Sequence, residues 1–159
     1  MLAASTEHDT VPTRTHNEGA KAVATRTPCG QLTAGAIMSR SVLTVSRNAT
    51  LWTAWGMLHG SDEPHLVVVD DYRRPVGILD ERRIALEWPA GPMAPHRQRV
   101  HGLLRGQVAP RVPPGTDLAS MARTMLIARV DALPVTDRSG RLIGLVTTAQ
   151  VLGHVAGCR

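Results

Sequence analysis

The residue types that most often do chemistry are present in this chain but do not converge. His59 and His65 flank the end of one helical stretch, and His96 and His101 lie in or near a Pro-rich segment, a spacing that does not assemble a metal site. Cys29 and Cys158 stand near opposite ends with no paired spacing, so they read as plain thiols rather than a disulfide framework or a zinc pair. No phosphate-cradling glycine loop, zinc-protease helix motif or nucleophile elbow occurs. Asn48-Ala49-Thr50 matches a glycosylation sequon, yet it suits a turn and a helix cap better. Asp80 and Arg83 are three apart at a helix start and read as an exposed local ion pair. Thr147 reads as a helix N-cap, Gln150 as an exposed first-turn residue and Arg111 as a strand-edge cation. These are binding groups at most, and the expectation is no catalysis, no metal and no required cofactor.

The elements that must position them come in duplicate. Gly35 and Gly102, Val45 and Val112, Leu51 and Leu118, and Leu66 and Leu133 all stand 67 residues apart. Val68 and Val135, Asp70 and Asp137, Arg74 and Arg141, and Gly77 and Gly144 share the same offset, with no gap needed. Eight identities over about fifty positions exceed the roughly three that ordinary residue frequencies produce. The other pairs exchange apolar for apolar, as Ile37 with Leu104 and Ile78 with Leu145. A duplication of this length sets the architecture before any single element is considered.

Each copy predicts the same order. A short helical lead-in (33–40; 99–105) precedes an extended segment (42–45; 109–112). Thr50 and Asp117 then N-cap a helix whose apolar stripe is Leu51, Ala54, Trp55 and Leu58 in one copy and Leu118, Met121, Ala122 and Met125 in the other. Two β-rich runs follow (66–69 and 76–79; 133–136 and 142–146), joined by polar turns, and a last helix closes each copy (81–87; 148–155). Residues 1–31 lack this periodicity and read as a flexible tail; copy 1 spans 32–88, a Pro/Gly linker 89–98, and copy 2 99–159.

Composition narrows the function classes. The net charge is +5, but the cations are scattered arginines with Lys21 the sole lysine, and aromatics are 3% with no Phe. That argues against a nucleic-acid stripe or a base-stacking platform. No run approaches the roughly 20 apolar residues of a membrane span. Thr, Glu, His, Asp and Arg interrupt the first 17 positions where a secretory core would lie. The expected location is cytoplasmic.

Three features together resemble a known family: Ala36-Ile37-Met38-Ser39, the paired strands Leu66-Val67-Val68-Val69-Asp70 and Leu133-Pro134-Val135-Thr136-Asp137, and the junctions Gly77-Ile78-Leu79-Asp80 and Gly144-Leu145-Val146-Thr147. Each copy resembles a CBS domain, and the tandem resembles a Bateman module covering about 32–156. The resemblance implies an α/β (α+β) fold of two β-α-β-β-α repeats packed sheet to sheet about a pseudo-twofold axis, with clefts that take adenosine-type ligands such as AMP, ADP, ATP or S-adenosylmethionine. It implies a homodimer through the helices and an effector protein that reads the ligand state. The family junction is glycine, two apolar residues, Thr or Ser, two variable residues, then Asp. Carried over, repeat 2 keeps Thr147 and has Gln150 for the acid, giving a site of Arg111, Val112, Ala132, Leu133, Pro134, Thr147 and Gln150, with Arg111 facing phosphate. Repeat 1 departs, with Asp80 for the hydroxyl and Arg83 for the acid, giving a site of Thr44, His65, Leu66, Asp80 and Arg83 that is degraded for nucleotides and, through Thr44, still admits a neutral or cationic adenosine derivative. The alternative is a dimerising scaffold that has lost its ligand.

Overall fold

The computed structural model describes residues 32–106 and 109–157. The expected 1–31 tail and the thiols Cys29 and Cys158 therefore lie outside the described residues. Copy 1 runs α1 (Ala34–Ile37), β1 (Thr44–Ser46), α2 (Leu51–His59), β2 (Leu66–Val69), β3 (Pro75–Leu79) and α3 (Glu81–Leu86). After a short α4 (Ala94–Arg97), copy 2 runs through a 3-10 turn (Val100–Leu104), α5 (Leu118–Ala128), β4 (Ala132–Thr136), β5 (Leu142–Thr147) and α6 (Thr148–Gly157).

The predicted caps form. Thr50 Oγ1 accepts from Thr53 N at 3.1 Å and Asp117 Oδ1 from Ser120 N at 2.9 Å, each satisfying a donor that the first helical turn leaves orphaned. That bond from the Ser120 backbone, with a second from its hydroxyl, holds the Asp117 carboxyl below its ordinary value. Leu51, Ala54 and Leu58 on α2, and Leu118, Met121 and Met125 on α5, are buried on one stripe. Trp55 is half-buried at the edge of its stripe.

In copy 1 the strands make a sheet of order β1-β2-β3, with β1 parallel to β2 and β2 antiparallel to β3. Copy 2 keeps the β4-β5 hairpin, but its first strand shrinks to a single parallel bridge between Val112 and Val135. That bridge is the counterpart of Val45 against Val68, and Val45 and Val112 are both buried. Pro110 and Pro113 flank the short segment, and proline supplies no N–H to extend a ladder. The hairpin turns match closely: Asp70 Oδ1 accepts from the backbone of Tyr72 and Arg74, and Asp137 Oδ1 from that of Ser139 and Arg141. Gly140 takes the left-handed position with φ 82°, where copy 1 has Arg73 at φ 61°.

The lead-ins are exchanged. Ala34 and Ile37 are buried in the core of copy 2, with Met121, Leu133 and Val146, whereas Val100, Leu103 and Leu104 are buried in the core of copy 1, with Leu51, Leu66 and Leu79. Their hydrogen bonds mirror one another. Ala34 N donates to Thr116 O and Gly35 N to Pro114 O; Val100 N donates to Ala49 O and His101 N to Arg47 O. Ala34 is thus the partner of Val100, and Met38 of Leu104, one residue short of the offset that relates the rest of the copies. This corrects the gapless alignment: Gly35 and Gly102, and likewise Ile37 and Leu104, are not structural equivalents. Gly77 and Gly144 show why both junctions need glycine, since a Cβ there would strike Leu104 and Met38 respectively.

The sheets face each other through Val67, Ala132, Leu142 and Leu145, with Val42, Val69 and Ile78 beside them. Leu142 N donates across this interface to Arg73 O at 2.9 Å. Residues 89–98, expected as a plain linker, instead fold back on copy 1: Pro95 is buried, and the His96 ring stacks on Trp52 at 4.7 Å between centroids. Trp88, just before this segment, meets both Trp52 and Trp55.

Candidate functional site

Two clefts open along the line where the copies meet, and each is built from both. The first, of about 370 Å³, takes Gly77, Ile78, Asp80 and Arg83 from the junction of repeat 1, and Ala109, Pro110 and the segment 128–132 from repeat 2. The second, of about 270 Å³, takes Leu145, Thr147 and Gln150 from the junction of repeat 2, and Ser39, Ser41, Val42, Leu43, Glu63, Pro64 and His65 from repeat 1. Asp80 and Arg83 correspond to Thr147 and Gln150, Ala109 and Pro110 to Val42 and Leu43, and 130–132 to 63–65. The clefts are therefore the same place seen twice, near the small end of the range of about 300–1,000 Å³ for ligand cavities.

This geometry regroups the expected residues. Asp80 and Arg83 share a wall with Ala132 of the other repeat, and Thr147 and Gln150 share one with His65. Thr44, Leu66, Arg111, Val112, Leu133 and Pro134 line neither cleft. Leu66, Val112 and Leu133 are core residues and Pro134 is buried within β4, while Arg111 is exposed. Grouping by repeat fails because each junction faces the neighbouring copy. Asp131, Arg129, Glu63 and the first-strand residues Val42 and Ala109 escaped the sequence reading. The duplication could have located each once the junctions were known to cross.

The junction side chains already have local work. Thr147 and Gln150 form a reciprocal capping box: Gln150 N donates to Thr147 Oγ1 at 3.3 Å and Thr147 N to Gln150 Oε1 at 2.8 Å. Both thus serve α6, and Gln150 keeps its amide N–H groups for other partners. Asp80 does not pair with the Arg83 guanidinium; its carboxylate caps α3 by accepting from Arg83 N at 2.5 Å. The Arg83 side chain reaches the exchanged lead-in, donating from Nη2 to Leu103 O at 3.1 Å, and stands 3.9 Å from Glu87 Oε1.

Charge divides the clefts. Arg83 and Arg129 line the first beside Asp80 and Asp131, and Arg129 sits left-handed at φ 53° at the end of α5. Among the described residues the second has no arginine or lysine in its lining, and its formal charge there is Glu63. Between them His65 Nε2 lies 3.2 Å from Asp131 Oδ1, joining the wall of one cleft to that of the other. Among the described residues no group of three or more His, Cys, Asp or Glu gathers to hold a metal, and no helix is long and apolar enough to cross a membrane.

The CBS domain family matches residues 34–88 and 108–157. A CBS domain-containing protein of Dictyostelium discoideum is 29% identical over 125 residues, covering 73% of this chain and 86% of that protein. Among solved structures, the cytosolic domain of the Mg2+ channel MgtE in complex with ATP is 28% identical with a TM-score of 0.63; 76% of this chain is covered, but the chain spans only 48% of that one. Hypoxic Response Protein I with two coordinated zinc ions is 27% identical with a TM-score of 0.68, covering 77% and 98%. The CBS domain pair of protein MJ0100 in complex with 5′-methylthioadenosine and S-adenosyl-L-methionine is 20% identical with a TM-score of 0.66, covering 80% and 98%, a likeness of fold.

Proposed function

From the premise that this chain belongs to the CBS domain family, with two copies in tandem, we propose that it is a non-catalytic regulatory module of the cytoplasm that binds an adenosine-type ligand between its repeats and signals to an effector protein. The observation that carries this reading is the pair of equivalent clefts, each with one wall from either repeat. A ligand seated there touches both copies and favours the arrangement in which both walls are in reach. Structural neighbours holding ATP, or 5′-methylthioadenosine and S-adenosylmethionine, support the ligand class. In this chain the second cleft, with no cation among its described lining residues, suits adenosine, 5′-methylthioadenosine or S-adenosylmethionine, and Arg83 and Arg129 make the first the better place for a phosphate. Isothermal titration calorimetry with AMP, ADP, ATP, adenosine and S-adenosylmethionine tests it. Heat that saturates supports the reading, and silence at millimolar concentration of all five rejects it.

A second reading, a dimerising scaffold without ligand, draws on the outer face of repeat 2. Leu126, Ile127, Leu152 and Val155 on α5 and α6 are each more than half exposed. The junction side chains committed to helix caps fit it equally. Light scattering on a sizing column would give a dimer indifferent to nucleotides, whereas a monomer would remove this reading.

A further inference from the structure

The helix pairs α2/α3 and α5/α6 occupy equivalent outer faces, since Leu51 matches Leu118 and the buried Ile84 matches the buried Val151. The same offset of 67 residues sets Trp52 against Ala119, Trp55 against Ala122 and Trp88 against Val155. The two faces therefore differ in relief. On repeat 1 the three tryptophans of the chain gather in one cluster, with ring centroids 5.3 Å apart for Trp52 and Trp55, 6.0 Å for Trp55 and Trp88, and 6.4 Å for Trp52 and Trp88. Trp52 is still 44% exposed and Trp88 38%, so indole surface projects from this face. On repeat 2 the smaller side chains leave a groove of about 650 Å³ lined by Ala122, Met125, Leu126, Val151 and Leu152, with Leu126 and Leu152 mostly exposed. Charge differs as well. Within α5 and α6 no acidic residue occurs and Arg123 and His154 are exposed, whereas α3 exposes Glu81 and Glu87 besides Arg82. Asp80 and Arg82, at the start of α3, line the repeat 2 groove too, so the two faces adjoin and one partner can span both.

We propose that the occupant of the repeat 2 groove is a second copy of this chain in antiparallel arrangement, its Trp52 and Trp88 face seated over Ala119, Ala122 and the groove between α5 and α6. A two-fold axis repeats the contact with the roles reversed, so each face is used once and the assembly closes at two copies. Like-on-like pairing fits poorly at both ends. Repeat 1 on repeat 1 sets projecting indoles against each other, and repeat 2 on repeat 2 leaves two hollows face to face between helices that carry cations and no acid. This rests on the dimer of the second reading above and adds which face meets which, with or without a ligand in the clefts.

The test is sedimentation velocity of the full chain, with tryptophan emission followed on the same dilution series. All three indoles lie on repeat 1, so dissociation moves the emission maximum to longer wavelength. A maximum unmoved while the dimer comes apart overturns the pairing and leaves a dimer by another face. A monomer even at millimolar concentration removes the pairing and the second reading together. Two variants then report the arrangement: Trp52→Arg spoils the repeat 1 face, and Leu126→Glu with Leu152→Glu spoils the repeat 2 face. Antiparallel pairing puts a spoiled face in both contacts of either variant's dimer, so each alone dissociates at least about thirtyfold more readily. An equimolar mixture has one contact with both faces intact and associates at least about tenfold more tightly than either variant alone. Like-on-like dimers give the reverse, because each variant keeps one intact contact and mixing leaves none, and that outcome refutes the assignment.

Discussion

A methyl group at Gly77 tests whether the lead-ins are exchanged. A Cβ there would lie 2.5 Å from Leu104 Cδ2 and 2.7 Å from Cδ1, and the three nearest atoms all belong to Leu104. Carbon contacts are comfortable at about 3.5–4.0 Å, so an overlap of roughly 1 Å must be relieved. Leu104 is 8% exposed within the copy 1 core, which leaves its branched end little room to turn. Gly77→Ala therefore destabilises by about 1–3 kcal/mol, the usual cost of overpacking. Leu104→Ala alone costs about 2–5 kcal/mol through lost burial and a void. In the double variant the new methyl occupies space that Leu104 vacated, so the combined loss is about 1–2 kcal/mol smaller than the two added together. Independent sites add to within about 0.5 kcal/mol, which makes this coupling measurable. The assay is urea unfolding read by tryptophan fluorescence and circular dichroism, with Gly77→Ala plus Ile37→Ala, in the other lead-in, as the additive control. Additivity of Gly77→Ala with Leu104→Ala would show that this lead-in does not seat on β3 and would refute the exchange.

Thr147→Val removes the acceptor of the capping box and should cost about 1 kcal/mol of stability, measured by urea titration without ligand, whatever it does to binding. Asp117 and Asp137 have folded-state pKa values below their ordinary one, Asp137 chiefly through the Ser139 hydroxyl. Their stabilising contribution is thus present above the unfolded value of about 3.9 and lost as pH falls through the folded values; Asp137→Asn should flatten that acid limb in pH-dependent melts. If α5 and α6 form a dimer face, Leu126→Glu with Leu152→Glu gives a monomer on a sizing column with stability within about 0.5 kcal/mol of the parent monomer, since both positions are exposed. A fragment of residues 32–98 should lack a cooperative thermal transition, because it leaves out Val100, Leu103 and Leu104, which complete its core.

Strands, helices and caps were legible because they obey local rules. The N-caps Thr50 and Asp117 and the alternation of β3 need only a few neighbours. The one-residue slip in the lead-in was not, because Gly35 and Gly102 coincide by type while the contact is made by Met38 against Gly144 and Leu104 against Gly77. An identity records composition, and packing records which side chain reaches which surface. The cleft was half legible for a related reason. Both junctions can be located on the chain, yet grouping by repeat joins Thr147 to Arg111 when its neighbour across the cleft is His65. Sequence proximity within a repeat says nothing about which copy supplies the opposite wall. The fold-back of 89–98 was hidden by its prolines, which mark a break in regular structure without telling whether Pro95 is then exposed or buried.

Exchange of the lead-ins constrains how such a module can respond. Pulling the copies apart would expose Ala34 and Ile37 on one side and Val100, Leu103 and Leu104 on the other, all now buried in the opposite core. At about 1.5–3 kcal/mol for each of the four large aliphatic side chains, separation costs about 6–12 kcal/mol, well above the few kcal/mol that divide functional conformers. Hinged opening into two lobes is therefore not the motion on offer. What remains is a small rotation or slide across the apolar facet of Val67, Ala132, Leu142 and Leu145, which carries the backbone bond from Leu142 to Arg73 and, at its edge, the pair between Ser39 and Leu145. Each cleft joins walls that this motion shifts relative to one another, and the His65 to Asp131 contact spans the gap between the clefts. Such a motion changes the inclination of the outer helices while the repeats stay together.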